Sequence, residues 1–304
     1  MLLERVGFQQ ACDFIEKHAR PLDKKLFDYH FTKESAIDVR KELMKYQNKD
    51  GGFGNAIEPD LRLKTSSPIA TSVGLQYCSE IKIDQEDPII EKAISYLLET
   101  YQTKDGYWPD TFMDVNKEPH APWWSIDEIK PPLEEKWSNP NAELVGYMNR
   151  YSVHVPSDFL VDLNKRAAHN IDSSMYIGGL IYDILCWIRT YPYLPHVLGK
   201  RAKVKIERTL QKIRPTIEET LREVQIFSLA PSPKSLFYQL FPDEVNSLIK
   251  KEIENQAEDG GWWPTWEWGQ YEDVWELAKV EWAGKITVEC LISLDNYNLI
   301  DSSN

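Results

Sequence analysis

The 304-residue sequence has no run of 18 or more apolar residues, so no transmembrane helix is expected from it. It has four cysteines, Cys12, Cys78, Cys186 and Cys290, far apart and in apolar, helix-like surroundings. That spacing excludes a disulfide framework or a zinc site and reads as reduced thiols in a core. Basic residues are short, 35 against 48 acidic, for a net charge of −13. The deficit argues against a nucleic-acid partner, which needs Lys and Arg density on one face. It gives no support for an anionic membrane surface either. No charged-then-apolar leader opens the chain at Met1-Leu2-Leu3-Glu4-Arg5, and with the reduced cysteines this predicts a cytoplasmic protein. Also missing are a glycine-rich phosphate loop, a nucleophile elbow and any metal-ligand spacing. Period-2 alternation that would mark strands is not convincing anywhere.

What is present is one local pattern written three times. A helical lead-in, a glutamine, an Asp-Gly pair and an aromatic recur as Gln47-Asn48-Lys49-Asp50-Gly51-Gly52-Phe53-Gly54, Gln102-Thr103-Lys104-Asp105-Gly106-Tyr107-Trp108 and Gln256-Ala257-Glu258-Asp259-Gly260-Gly261-Trp262-Trp263. The first two glutamines are 55 residues apart and the second and third 154 apart, about three further units of about 51, the signature of a repeat architecture. If the unit is a helix pair, the chain holds about six of them. Six helix pairs can close into a ring around a central cavity. The expectation is therefore an all-α (α/α)6 toroid, a single domain over 1–304.

Periodicity predicts helices over residues 8–18, 37–46, 69–81, 88–101, 142–151, 173–190, 201–224, 242–256 and 282–297. Ser66-Ser67-Pro68 supplies a cap and a proline for the third of these. Gly178-Gly179 reads as a close helix contact inside the 173–190 helix. The middle repeats, roughly 150 to 250, have lost their glycine turns on this reading. Residues 108–140 break the rhythm with six prolines after Trp108, from Pro109 to Pro140. Their tryptophans argue for an ordered excursion over one mouth of the ring.

The turns resemble the QW repeats of terpenoid cyclases and the matching repeats of protein prenyltransferase β-subunits. Lys92-Ala93, Tyr96-Leu97, Gln102, Gly106 and Trp108 fit that pattern in full, and the copies at Gln47 and Gln256 fit its Gln and Gly-Gly-aromatic end. The resemblance implies the toroid scaffold and an aromatic-lined cavity for an isoprenoid-type ligand. The chain departs from the family in its chemistry. It lacks the Asp-x-Asp-Asp acid motif, the Asp-Asp-x-x-Asp magnesium motif and the Asp-x-Cys zinc setting.

Four constellations carry candidate chemistry. Glu58-Pro59-Asp60-Leu61-Arg62 sets two acids beside an arginine. It reads either as a salt-bridged loop or as a rim where Asp60 or Glu58 donates a proton, with Arg62 on the ligand. His120-Ala121-Pro122-Trp123-Trp124 places a histidine beside two indoles. It is a loop anchor, or His120 is an acid/base partner next to a ligand stacked on Trp123 and Trp124. Asn139, Asn141 and Glu143 stand at a helix start, for capping or, through Asn139 and Glu143, for ligand contact. The chain has 11 Trp, and six of them lie between Trp262 and Trp282. There Trp263, Trp266, Trp268, Glu281 and Trp282 read as ring-closure packing, as carbocation-stabilising π faces, or as sugar-stacking rings.

The functional expectation is a terpenoid-cyclase-like protein that binds, and as an enzyme cyclises or otherwise transforms, an apolar isoprenoid-type ligand. No resident cofactor is expected; Mg²⁺ would enter only with a diphosphate substrate. The alternatives are a carbohydrate-active lyase or hydrolase with paired carboxylates in a Trp-rich cleft, and a non-catalytic binding module.

Overall fold

Proline starts many of the helices of this chain. Its missing N–H costs nothing in the first turn and its φ is already helical. In the computed structural model, α2 (Pro21–Phe31), α4 (Pro68–Glu80), α5 (Pro88–Thr100) and α13 (Pro242–Glu254) all begin this way. At α4 the Ser67 hydroxyl also accepts the Ala70 N–H at 3.2 Å. The remaining helices are α1 (Arg5–His18), α3 (Ala36–Leu43), α6 (Asn141–Arg150), α7 (Ser157–Ser173), α8 (Ile181–Thr190), α9 (His196–Ile213), α10 (Ile217–Thr220), α11 (Ile226–Leu229), α12 (Leu236–Leu240) and α14 (Glu272–Asn296). The structure describes residues 2–33, 35–126, 137, 139–178, 180–221 and 224–301. Among the described residues there is no strand, only isolated bridges, so the protein is all-α. No described helix is long and apolar enough to cross a membrane. The four cysteines are free thiols; Cys78, Cys186 and Cys290 are buried and Cys12 is partly so.

The chain forms two compact units, one of Leu43–Lys212 and one of Met1–Glu42 with Ile213–Asn304. In the first, α6 is the hub and packs against α8, α7 and α4. A Cβ on Gly146 would overlap Thr190, so glycine sets how closely α6 and α8 approach. In the second, the long α14 packs against α1 and α2. There a Cβ on Gly284 would come within 2.6 Å of the Ala19 backbone.

The repeated turn has one construction in both units. Gly51 and Gly260 each sit at φ +91°, a conformation side chains resist. Asp50 and Asp259 each accept the N–H two residues on, at 3.1 and 3.0 Å. Gln47 Nε2 donates to Gly51 O and to Ile89 O at the start of α5, both at 2.9 Å. Gln256 Nε2 donates to Gly260 O at 2.9 Å and to Gly7 O in α1 at 2.8 Å. Thus α1 stands to the third turn as α5 stands to the first. The aromatic after each turn is pinned by the following helix: Phe53 N donates to Thr71 Oγ1 (3.0 Å), Trp108 N to Asn141 Oδ1 (2.7 Å) and Trp262 N to Thr287 Oγ1 (2.9 Å). The indole N–H of Trp108 caps Leu97 O of α5 at 2.6 Å, and that of Trp262 caps Glu252 O of α13 at 2.8 Å. At the second turn Gln102 instead donates to Thr100 O, at 3.3 Å.

Several elements differ from the periodicity. The expected helix over 173–190 is two elements: α7 ends at Ser173 and α8 begins at Ile181. Gly178 adopts φ +73° between them, so it is a turn glycine and not a contact inside a helix. Its partner in the pair, Gly179, lies outside the described residues. The helix over 201–224 stops at Ile213, where Pro215 enters a short 3-10 turn. The last helix starts ten residues earlier than its apolar stretch, at Glu272, so Trp275, Glu281 and Trp282 are helical. In the 108–140 excursion, residues 113–117 and 122–124 form 3-10 turns; residues 127–136 and 138 lie outside the described residues.

Candidate functional site

The first unit gathers chemistry where α4, α6 and α8 begin. The loop leading to α4 turns through Leu61 N→Glu58 O at 3.0 Å. It is then clasped by the excursion: Ala121 N donates to Asp60 O (2.8 Å) and Arg62 N to Pro119 O (3.1 Å). Leu61, Leu63, Ile69 and Val115 form a small buried cluster under this clasp, with Trp124 and Ile126 packed against it. Asp60, Glu58 and His120 are buried, Arg62 is half-buried and Trp123 is 49% exposed. His120 Nδ1 meets Glu118 O at 2.6 Å and Nε2 meets the Ser125 hydroxyl at 2.9 Å. Both ring nitrogens are thus engaged within its own loop. The structure brings Asp60 and His120 together through backbone pairing of Leu61 with His120.

Sequence reading missed a second pair of acids. Asp110 follows the second turn, and Ile69 N→Asp110 O (3.0 Å) ties it to the first turn of α4. Two residues before it, Trp108 is gripped on both backbone atoms by Asn141, whose Nδ2 donates to Trp108 O at 2.7 Å. Asn141 is therefore spent on Trp108 and not on capping α6, which has no side-chain cap. Asn139 precedes Pro140 through a cis bond. Its N–H donates to Asp183 Oδ1 (3.0 Å) and its Oδ1 accepts from Cys186 Sγ (3.4 Å). Asp183, in the first turn of α8, also accepts the Leu180 N–H at 2.9 Å. A carboxylate there is favoured by the helix dipole.

Asp110 has an open surface, yet protein atoms crowd it. Desolvation first, and the Asp183 charge second, lift its pKa from 3.8 to about 7. Such an acid exchanges its proton near neutral pH. Thr111 Oγ1 beside it and the indole N–H of Trp124 are buried and have no hydrogen-bond partner among the described residues.

Glu143 lies deeper in the same unit, fully buried. Its carboxylate accepts from Tyr147 Oη at 2.9 Å and pairs with Arg189 at 3.0 Å. The Arg189 side chain keeps 39% of its surface open. Desolvation first, then the Glu143 charge, push the Tyr147 hydroxyl well up. Glu143 is thus held by two partners rather than presented alone.

The tryptophans of the other unit divide into core and surface. Trp262 and Trp268 are buried, and Trp268 packs on Trp275 at 5.5 Å between centroids. Trp263, Trp266, Glu281 and Trp282 are half-buried. Trp263 meets Phe14 edge-on at 5.7 Å and its indole faces the Asp259 carboxylate at 3.1 Å. Trp266 and Trp282 form an edge-to-face pair at 5.2 Å, with Lys285 5.4 Å from the Trp282 ring.

Two signals for the missed acids were available. Asp110 is eight residues past Gln102, the position of Asn55 after Gln47, so the repeat register marks it. Asp183 is a lone acid inside the apolar run Ile181–Cys186, where an unpaired charge is costly. Among the described residues, no cluster of three or more His, Cys, Asp or Glu is arranged to hold a metal ion. Comparison of the chain with models of protein families, with curated proteins and with solved structures gives no match.

Proposed function

We propose that this chain is an (α/α)6 toroid enzyme of the general acid–base class, acting on glycosidic bonds of a carbohydrate. Asp110 is its acid and Asp183 the second carboxylate. Support for the toroid comes from the alternation of helix pairs. It comes also from the third turn, which meets α1 through Gln256–Gly7 as the first meets α5 through Gln47–Ile89.

The observation that carries the chemistry is the Asp110 carboxyl, raised to about 7 beside Asp183. Glycoside cleavage needs an acid that is protonated at working pH and a second carboxylate close by. Asp110 would protonate the departing glycosidic oxygen as the C–O bond breaks. Asp183 would take the proton of the attacking water or attack the sugar carbon itself, according to the carboxyl separation. Asp60, Glu58, Arg62 and His120 would orient the ligand at the α4 end, with Trp123 offering an open ring face.

A second reading, the transformation of an isoprenoid-type ligand, has its own support in exposed apolar groups at the same place. Met113 and Trp123 lie on the excursion, and Leu180, 67% exposed, adjoins Asp183. It is weaker because a carboxyl with a raised pKa is a weaker acid, and protonating an alkene asks for a stronger one.

The test is a thermal-shift and turnover panel of neutral and acidic oligosaccharides against prenyl diphosphates, with and without Mg²⁺. A ligand at 100 times its Kd adds about 2.7 kcal/mol to stability. The proposal expects a shift and cleavage with sugars, and no turnover in a folded Asp110→Asn variant. A shift with isoprenoids alone favours the second reading. No response to either class leaves a non-catalytic module.

A further inference from the structure

At the far end of α6, nine residues from Asn141, stands a guanidinium of unusual company. Arg20, Arg189, Arg201 and Arg214 each face a carboxylate. Arg150 faces none among the described residues. It is half-buried in the last turn of α6. Its Nη1 donates to the Tyr193 hydroxyl at 2.6 Å and to the Ser79 hydroxyl. Ser79 and Tyr193 themselves meet at 3.2 Å. The guanidinium carbon lies 4.7 Å from the Tyr193 ring centroid and 5.3 Å from that of Tyr151. Tyr147 stacks near both tyrosines, at 6.4 Å from each.

Two things in this cluster are unspent. Arginine has five N–H donors in a fixed fork, and both protons of Nη1 are used. The Nε and Nη2 edge, the one that receives carboxylate or phosphate in bidentate fashion, has no partner among the described residues. The Tyr151 hydroxyl, in a side chain 1% exposed, also has none. A buried hydroxyl without a partner is costly, and so is a half-buried cation without a counter-charge. The guanidinium lies 5.3 Å from the Tyr151 ring, and an oxyanion bound between the two groups would satisfy both at once. The cation–π contacts hold the guanidinium plane, and Ser79 and Tyr193 fix its rotation. The fork is thus oriented before any ligand arrives.

We infer that Arg150, Tyr151 and their cage form a binding site for a small oxyanion, a carboxylate or phosphate group. The site belongs to α4, α6 and the 191–193 turn, and it is distinct from the Asp110–Asp183 pair at the opposite end of α6. A bland alternative is a cation placed to favour the C-terminal dipole of α6. That role uses neither the Nε–Nη2 edge nor the Tyr151 hydroxyl.

The test titrates the full chain with inorganic phosphate and, separately, with acetate, at constant ionic strength set by chloride. Binding is read by calorimetry and by the shift in Tm. The site predicts saturable binding of at least one of the two, which identifies the group. Tyr151→Phe, which keeps the ring, should weaken it by about tenfold or more, as for a hydrogen bond to a charged group. Arg150→Gln should abolish it, and Arg150→Lys should retain part of it, which separates lost binding from lost folding. Absence of saturable binding in the parent chain, or binding unchanged in both Tyr151→Phe and Arg150→Gln, overturns the inference.

Discussion

Replacing Gly260 by alanine tests the idea that the third turn is seated on α1. Two costs add. An L-residue in the left-handed region costs about 1–2 kcal/mol, and Gly260 is at φ +91°. The new Cβ would also overlap the carbonyl of Gln10, main chain of a packed helix that cannot step aside. Forcing an extra methyl into such a contact costs about 1–3 kcal/mol. The expected loss is therefore about 2–5 kcal/mol. Gly106→Ala is the internal control. Gly106 has φ +82°, so the first cost is the same. Its Cβ meets only the Arg166 guanidinium, the free end of a long side chain. The expected loss there is about 1–2 kcal/mol. At roughly 2 °C per kcal/mol for a chain of this size, the two variants should melt about 4 °C apart by circular dichroism. Gly51→Ala should fall with Gly260→Ala, because its Cβ overlaps the Lys92 carbonyl. Equal melting of all three variants, or Gly106→Ala the worst, would refute the seating of the first turn on α5 and of the third on α1.

Three further outcomes are expected. Glu143→Ala strips a buried partner from Arg189 and Tyr147 and should cost about 3 kcal/mol in urea unfolding, whereas Tyr147→Phe should cost about 1 kcal/mol; equal costs would mean the hydroxyl carries the pair. Burial raises Glu252 from 4.5 to about 7, with an opposing hydrogen bond from Asn255. The folded chain then holds a proton that the unfolded chain has released, so its contribution is present below 4.5 and is lost as pH rises through about 7. Glu252→Gln should flatten the fall in Tm over that window; an unchanged slope would assign the fall to other groups. In any turnover assay, Asp110 should appear as a limb with apparent pKa near 7 whose rate declines as pH rises, because the acid form is the active one, and Asp110→Asn should remove that limb.

The helical class and the three turns were legible because the chemistry that makes them is local. After a helical lead-in an Asp-Gly pair favours a helix stop, and Ser-Pro before an apolar stretch favours a helix start. The break at Gly178 was signalled by Ser173-Ser174 and Gly178-Gly179, but the apolar residues on either side masked it. Only the backbone shows that this glycine sits at positive φ. The early start of α14 escaped because half of the residues from Glu272 to Lys279 are charged, which hides the short apolar face of Trp275 and Ala278 that the helix buries. Asp60, His120 and Glu143 stood out in the sequence by their local company, and each is buried. Asp110 and Asp183, 73 residues apart, are coupled by the charge of Asp183 acting on Asp110. No local pattern reports such a coupling.

The union of Met1–Glu42 with Ile213–Asn304 has a consequence for how the chain is made. Leu3 pairs with Ile300, donating to Leu299 O at 2.7 Å and accepting from Asp301 N at 3.0 Å. During translation α1 and α2 emerge more than 200 residues before α14, the helix they pack against. The stretch Leu43–Lys212 has its own partners to hand and can compact on the ribosome. Meanwhile the faces of α1 and α2 that pack on α14 stay uncovered until α14 is synthesised. Contacts that bridge so many residues are slow to close, and the waiting helices are the part of the nascent chain that a chaperone would hold.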